Sequence, residues 1–478
     1  MEEKKQTEVV CVDLDYTLIS TDLLIEQITS FLKQNPLRIF LILIWLFKSR
    51  RFLKKKLSEY VNIDYQNLPY RTETIDYLLE AKRNNNKLLL VTASNQKIAD
   101  NINNTLQIFD EVYGSNEEIL MKGKTKAKFL EEKLGKFNFT YIGDSICDFH
   151  IWKISKNAIL VSNSRFVQFL LKKQTKNFSG NLLENKTKIS NFLKLIRIHQ
   201  WIKNILIFAP ILLAHKFFDF SVWTQSVIAF FAFSLIASSM YILNDIIDIE
   251  NDRKHPKKKF RPIASGMISF YTAFFISLIL LILGFFLSFE INLWFAFVCF
   301  LYVLLNFLYS LKIKQLFIFD VFLLSVFYVL RLYAGGLATN IPISNWLLAF
   351  SMFFFLSLAT LKRFTELKIS SNAEGNISGR PYNIDFTNFI QTFGISSSFA
   401  SVIVFILYIN SEKVWELYKF PSLLWIDAFL LLLWLMFIWF FAQKGKVDND
   451  PVMEALKNPY LLAIEFIMIV TWLMAFLL

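Results

Sequence analysis

Asn244-Asp245-Ile246-Ile247-Asp248-Ile249-Glu250-Asn251-Asp252-Arg253 closes a run that is almost wholly apolar from Val222 onward. Charged groups at the end of a run long enough to cross a membrane are expensive to keep. The three aspartates are spaced i, i+3, i+7, which predicts that they share one face of a helix. Carboxylates held so close repel one another unless a cation sits among them. Hard oxygen donors suit Mg²⁺, which shares its remaining positions with waters and a diphosphate. Lys254, Lys257, Lys258, Lys259 and Arg261 follow directly, a cationic segment suited to phosphate oxygens.

Working outward, the chain divides by composition. Of its 478 residues 55% are apolar and 17% aromatic, too many for an ordinary soluble protein. Residues 1–195 read as soluble. Residues 196–478 read as a bundle of nine apolar spans, near 199–218, 222–246, 268–288, 291–310, 316–339, 344–362, 387–410, 420–442 and 459–478. A polar stretch, 176–195, reads as the linker. The formal charge of +12 comes from lysines and arginines beside the spans, as the positive-inside rule expects, so no nucleic-acid partner is expected. That charge asymmetry predicts an integral membrane protein with the soluble part and the cationic loops facing the cytoplasm. It leaves oligomerisation open. The cysteines, Cys11, Cys147 and Cys299, form no metal or disulfide pattern.

The soluble half carries a second set of carboxylates. Val9-Val10-Cys11-Val12 reads as a buried strand ending in Asp13-Leu14-Asp15, with both acids sent the same way by strand alternation. Leu88–Val91 ends in Thr92-Ala93-Ser94, and Phe139–Ile142 ends in Gly143-Asp144, with Asp148 four residues on. Between them Lys122, Lys124 and Lys126 lead into a helical pattern. The carboxyl ends of such strands are where an open α/β sheet places its chemistry.

This order of motifs over residues 8–165 resembles the haloacid dehalogenase superfamily of phosphatases, an α/β Rossmann-like fold with a helical cap. The resemblance implies Asp13 as the nucleophile, Asp15 as general acid and base, and Thr92 on the phosphoryl oxygens. It implies a lysine offsetting phosphoryl charge, of which Lys126 opens the helix and Lys122 and Lys124 are the alternatives. It implies Mg²⁺ held by Asp13, Asp15, Asp144 and Asp148. The domain would be 1–175, its cap about 20–80. Within the cap, Leu37–Phe47 is apolar but too short to span, and Lys48, Arg50, Arg51, Lys54, Lys55 and Lys56 follow. That pairing suits either a cap core helix or the surface of an anionic membrane.

The aspartate motif in an all-α nine-helix bundle resembles the UbiA-type prenyltransferase superfamily, over about 195–478. That family implies Mg²⁺ on a departing diphosphate, held here by Asp245, Asp248 and Asp252 with Asn244 beside them. A second acid motif is usual after the fourth helix; here Asp320 stands as a single acid. Arg197-Ile198-His199-Gln200-Trp201-Ile202-Lys203-Asn204, Arg261-Pro262, Lys362-Arg363 and Asp448-Asn449-Asp450 look like the polyprenyl-phosphate phosphoribosyltransferase branch. A phosphorylated sugar donor needs more cationic and polar groups than a prenyl chain does. Lys203, Asn204, Lys257, Arg261, Tyr309, Lys312, Lys314, Asp320, Arg331, Lys362 and Arg363 are the candidates for binding it.

The resemblances together imply a bifunctional enzyme. The bundle would join phosphoribose from phosphoribosyl diphosphate to a polyprenyl phosphate, a cell wall precursor, and the soluble domain would remove the 5-phosphate. The rivals are an aromatic or quinone-type prenyltransferase with an attached phosphatase, and a transferase whose N-terminal domain only regulates or docks to the membrane.

Overall fold

The computed structural model describes residues 8–116, 119–183, 189–370, 382–447 and 451–477. The chain folds as two compact units, Met1–Ile196 with Ile242–Ile276, and Arg197–Tyr241 with Ser277–Leu478. The division differs from the one the composition suggests. The segment carrying the aspartate motif belongs with the N-terminal half.

The first unit is built on six parallel strands: β1 (Val9–Val12), β2 (Lys87–Asn95), β3 (Glu111–Ser115), β4 (Phe139–Gly143), β5 (Asn157–Leu160) and β6 (Phe178–Asn181). Their order is 3-2-1-4-5-6. Val10, Val12, Leu88, Leu90 and Ile142 are buried on one face, and Cys11, Leu89, Val91 and Tyr141 on the other. A sheet covered on both faces explains why its strands read as unbroken apolar runs instead of alternating. β6 lies inside the stretch expected to be a linker. Its polar residues are compatible with an edge position, where pairing with β5 satisfies the backbone without a fully buried side-chain row. Residues 184–188 of that stretch lie outside the described residues.

The insert after β1 is helical, as its pattern predicts: α1 (Leu23–Gln34), α2 (Ile39–Lys48) and α3 (Arg50–Tyr60). Asp22 caps α1 by accepting from the Leu24 amide, and Ser49 caps α3 by accepting from the Phe52 amide. Phe31, Trp45, Leu53 and Leu57 join the core on one face of the sheet, so insert and sheet share one interior.

Residues 242–276 complete this unit through a buried ion pair. Arg253 Nη1 and Nη2 donate to the two carboxylate oxygens of Glu26 on α1 at 2.8 and 2.7 Å, and Nε donates to the Ala264 carbonyl at 3.0 Å. Nearby, Gly266 has φ +72°, and a Cβ there would fall 2.2 Å from Ser20 Cβ. Only glycine fits that contact.

The second unit is helical. Leu293–Leu311, Phe319–Thr339, Asn345–Ser370, Thr387–Ile409, Leu424–Gln443 and Pro459–Leu477 lie within it, and Phe220–Ile247 and Phe270–Ile291 run from one unit into the other. Among the described residues, eight helices are long and apolar enough to cross a membrane, or up to nine if one bent pair counts as a span. The first expected span, 199–218, is the exception. It is a 3₁₀ segment, Ile198–Phe208, followed by a short helix, Ala209–Leu213. Polar residues recur through its first half, and Pro210 supplies no backbone donor. The segment instead lies tight against Phe319–Thr339, where a Cβ on Gly335 would meet the Ile207 carbonyl oxygen at 2.2 Å.

Glu26→Ala should leave the Arg253 charge buried without its partner, their side chains being only 4% and 7% exposed. The expected loss is about 3–5 kcal/mol, while Glu26→Leu with Arg253→Met should be far milder. Thermal unfolding of the full chain in detergent checks this; equal losses in both variants would contradict it.

Candidate functional site

The strand order reverses direction at β1, between β2 and β4. In open parallel sheets the crevice at that point, beyond the carboxyl ends of the strands, is where ligands bind. Asp13 follows β1, Asp144 follows β4 and Thr92 lies near the end of β2. Asp13, Asp144 and Asp148 each offer one carboxylate oxygen, and those oxygens all lie within 4.8 Å of one another.

Lys126 completes the cluster. It is buried on the helix Lys124–Leu134, and its Nζ lies 3.0 Å from Asp13 Oδ1. The ammonium also donates to the Val91 carbonyl at 2.9 Å and to the Tyr141 hydroxyl at 3.0 Å. Tyr141 in turn donates to Asp148 Oδ1 at 2.9 Å, and Asp148 Oδ2 accepts from the Asp144 and Ser145 amides. A Cβ on Gly143 would lie 2.8 Å from that same Oδ2, so glycine permits Asp148 to fold back on the strand end. Lys122 and Lys124, the alternatives to Lys126, are exposed.

Asp15 stands apart from the metal-ligand group, contrary to the expectation that its side chain would join it. Its Oδ1 accepts from the Leu23 amide at 3.0 Å and its Oδ2 from Ser94 Oγ at 3.1 Å. The reason is local. Asp15 is extended (φ −66°, ψ 129°) and Tyr16 left-handed (φ 56°), so the chain turns sharply just after Asp15. Burial, and then the Asp22 charge, push the Asp15 carboxyl up to about 7. Burial followed by the facing carboxylates pushes Asp144 up as well. Thr92 Oγ1 accepts from the Ser94 amide at 3.0 Å, which fixes its hydroxyl in this strand end.

Three neighbours escaped the sequence reading: Ser94, Tyr141 and Lys54. Lys54 Nζ donates to the Ala93 carbonyl at 2.8 Å, and its charge acts on both Asp15 and Asp22. By sequence alone it is one of the basic run Lys48 to Lys56. The available signal was helical spacing, since Lys54 follows Leu53 and precedes Leu57, which are both core residues.

The aspartate motif does not lie on one helical face. Asp245 ends the Phe220–Ile247 helix, Asp248 breaks it (φ −95°, ψ 10°), and Asp252 sits on a short helix, Ile249–Lys254. The break changes the expected arrangement. Arg261 Nη1 donates to Asp245 Oδ1 at 3.0 Å and to Asp252 Oδ2 at 2.6 Å, while Asp248 Oδ1 lies 4.0 Å from Lys33 Nζ on α1. Among the described residues the three acids do not gather as a metal-ligand group. Even so, a guanidinium nitrogen within reach of two carboxylates shows that the pair accommodates a cation. Burial raises the Asp252 carboxyl to about 6. Asn244 is half-buried and Lys257 exposed.

In the second unit, Arg331 is buried on Phe319–Thr339. Its Nε donates to Asn204 Oδ1 at 2.8 Å, Nη1 to the Phe327 carbonyl at 2.6 Å and Nη2 to the Tyr302 hydroxyl at 3.1 Å. Among the described residues no carboxylate pairs with it. Arg363 and Asp320, both expected at a substrate, are instead turned toward each other. Arg363 also engages Glu366 and the Tyr309 hydroxyl, and Asp320 accepts from Tyr382. Burying the charges makes mutual pairing the way to keep them. Lys314 is buried, Lys203 and Lys362 are half-buried and Lys312 is exposed. Asp448 and Asp450 lie outside the described residues.

Residues 205–457 match the UbiA prenyltransferase family. The chain belongs to that family. Its relatives include the uncharacterized protein y4nM of Sinorhizobium fredii, 33% identical over 452 residues, covering 94% of this chain and 87% of that protein. The nodulation protein NoeC of Azorhizobium caulinodans is 32% identical over 233 residues, 48% of this chain and 75% of the relative. The decaprenyl-phosphate phosphoribosyltransferase of Mycolicibacterium smegmatis is 33% identical over 213 residues, 43% and 67%. A solved UbiA homologue from Archaeoglobus fulgidus, bound to GPP and Mg²⁺, is 15% identical, with a TM-score of 0.44, over 59% of this chain and 99% of that one. The α/β unit, with its strands between Val9 and Asn181, lies outside the residues that match the family.

The carboxylate cluster of that unit predicts a pH-dependent response to metal. Burial holds the Asp144 and Asp148 carboxyls above the usual carboxylate range, so the metal-free protein should lose stability as pH rises past that range. A divalent cation competes with protons for the same oxygens, so its stabilisation should grow over that range. Melting curves with EDTA and with Mg²⁺, at about pH 5 and about pH 8, test this. A shift no larger at the higher pH would contradict it, and Asp144→Asn should abolish most of the shift.

Proposed function

We propose that this protein is a two-step enzyme acting on a lipid phosphate. The UbiA half transfers 5-phosphoribose from phosphoribosyl diphosphate to a polyprenyl phosphate, and the α/β unit, of the haloacid dehalogenase type, then removes the 5-phosphate. The first step is supported by likeness to relatives named decaprenyl-phosphate phosphoribosyltransferase. It is also supported by the single acid Asp320, engaged by an arginine. Asp245 and Asp252 would hold Mg²⁺ there in place of the Arg261 guanidinium, and Asp13, Asp144 and Asp148 in the second site. The ion supplies charge neutralisation of phosphate oxygens. Arg331, a buried cation with no described carboxylate partner, suits an anionic substrate group.

The observation that carries the second step is Lys126 Nζ 3.0 Å from Asp13, beside an acid held near pKa 7. Asp13 attacks phosphorus, forming an aspartyl-phosphate as the P–O bond to the ribose C5 oxygen breaks. Asp15, protonated near neutral pH, gives its proton to the departing alkoxide. It then takes one from the water that hydrolyses the acyl phosphate. Lys126 offsets charge on Asp13 and the phosphoryl group, and Thr92 and Lys54 would donate to the phosphoryl oxygens.

In this reading Asp13→Asn accumulates polyprenyl-phosphoryl-ribose still bearing its 5-phosphate, where wild type yields the dephosphorylated lipid. Asp245→Asn lowers lipid-linked sugar formation ~10²- to 10⁴-fold but still dephosphorylates added intermediate. Mass analysis of the lipids distinguishes these. The same product ratio from wild type and Asp13→Asn would sink the second step, and full transfer by Asp245→Asn would sink the first.

A further inference from the structure

The ten-residue helix α2 buries only Ile42 and Trp45. Trp45 is held between Phe31 on α1 and Tyr60 on α3, at ring distances of 5.2 and 5.6 Å. The remaining apolar side chains face outward. Phe47 is 90% exposed and Phe40 62%, with Leu41, Leu43, Ile44 and Leu46 also exposed, and Leu37 just before the helix is 70% exposed. Contiguous apolar surface of this kind is not kept in water without a partner.

What covers it follows from its setting. A helix of ten residues is about 15 Å long, half of what a bilayer core requires, so it cannot span. The turn that ends it is cationic, with Lys48, Arg50 and Arg51 exposed, and Lys55 one helical turn later. Arg50 is within electrostatic reach of Tyr271, the second residue of the helix Phe270–Ile291. Tyr271, Phe274 and Phe275 are themselves exposed at the head of that span, in the same compact unit. The cationic turn that ends α2 therefore lies within charge range of the head of a spanning helix.

We propose that α2 lies in the membrane interface, its apolar side chains among the acyl chains and its arginines and lysines at anionic lipid headgroups. The occupant is the leaflet into which Phe270–Ile291 inserts. Trp45 pins the cap to this anchor, so the crevice at Asp13 is held at the lipid surface instead of swinging in solvent. The inference stands on exposure and charge alone and does not depend on what the crevice hydrolyses.

The test uses the full chain in liposomes containing anionic lipid. In a Cys147→Ser background, which removes the one exposed cysteine, single cysteines replace Phe40, Phe47 or, as a control, the solvent-facing Lys128. Each is labelled with an environment-sensitive fluorophore and compared in ordinary lipid and in lipid brominated on its acyl chains. Labels at positions 40 and 47 should be quenched about two-fold or more by brominated lipid, and the label at 128 should not. All sites are exposed, so labelling them leaves the core untouched. Quenching at 40 and 47 no greater than at 128 would overturn the proposal. So would efficient disulfide cross-linking between copies at position 47 with no lipid quenching, since a second copy would then be the cover.

Discussion

A buried pair of opposite charges, Glu26 and Arg253, is the constraint around which the first unit is organised. Each charge would be very costly alone in that interior, and neither can leave without stranding the other. Glu26 belongs to the helical insert after β1, and Arg253 to the segment that follows the aspartate motif. The bidentate contact therefore ties two chemistries, more than two hundred residues apart in sequence, into one folded body. Gly266 seated on Ser20 and Lys33 near Asp248 reinforce the same junction.

The sheet then explains where its chemistry sits. Six parallel strands in the order 3-2-1-4-5-6 leave one crevice, at the carboxyl ends of β1 and β4. The acids placed there are separated by environment. Asp13 is paired with Lys126, whereas Asp15 is buried beside Asp22 and holds its proton to about pH 7. In the proposed reaction, the carboxylate paired with an ammonium serves as nucleophile and the buried acid two residues on as proton donor.

The parts legible in the sequence were those fixed by local pattern. Strand ends bearing Asp13, Thr92 and Asp144 could be read from apolar runs stopping at polar residues, and Lys126 from its place at a helix start. The spans could be read from length and hydropathy. What escaped depended on distant partners. β6 is too polar to announce itself and exists because β5 offers an edge. The helix break at Asp248 and the Arg261 bridge cannot be read from a spacing that assumes a continuous helix. That Arg363 and Asp320 pair with each other could not be read, because nothing in the chain between them reveals that they meet. Lys54 was counted by charge when its helical face mattered more.

In the proposed function, one chain both makes and dephosphorylates a lipid-linked ribose phosphate. The most direct test is to supply the wild-type protein, in Mg²⁺, with a polyprenyl phosphate and phosphoribosyl diphosphate labelled only in its 5-phosphate, and to follow the label over time. The account predicts that label passes first into lipid and then into inorganic phosphate, matching the lipid-linked ribose left behind. Label that remains in lipid, or that is released without the polyprenyl phosphate, would contradict it.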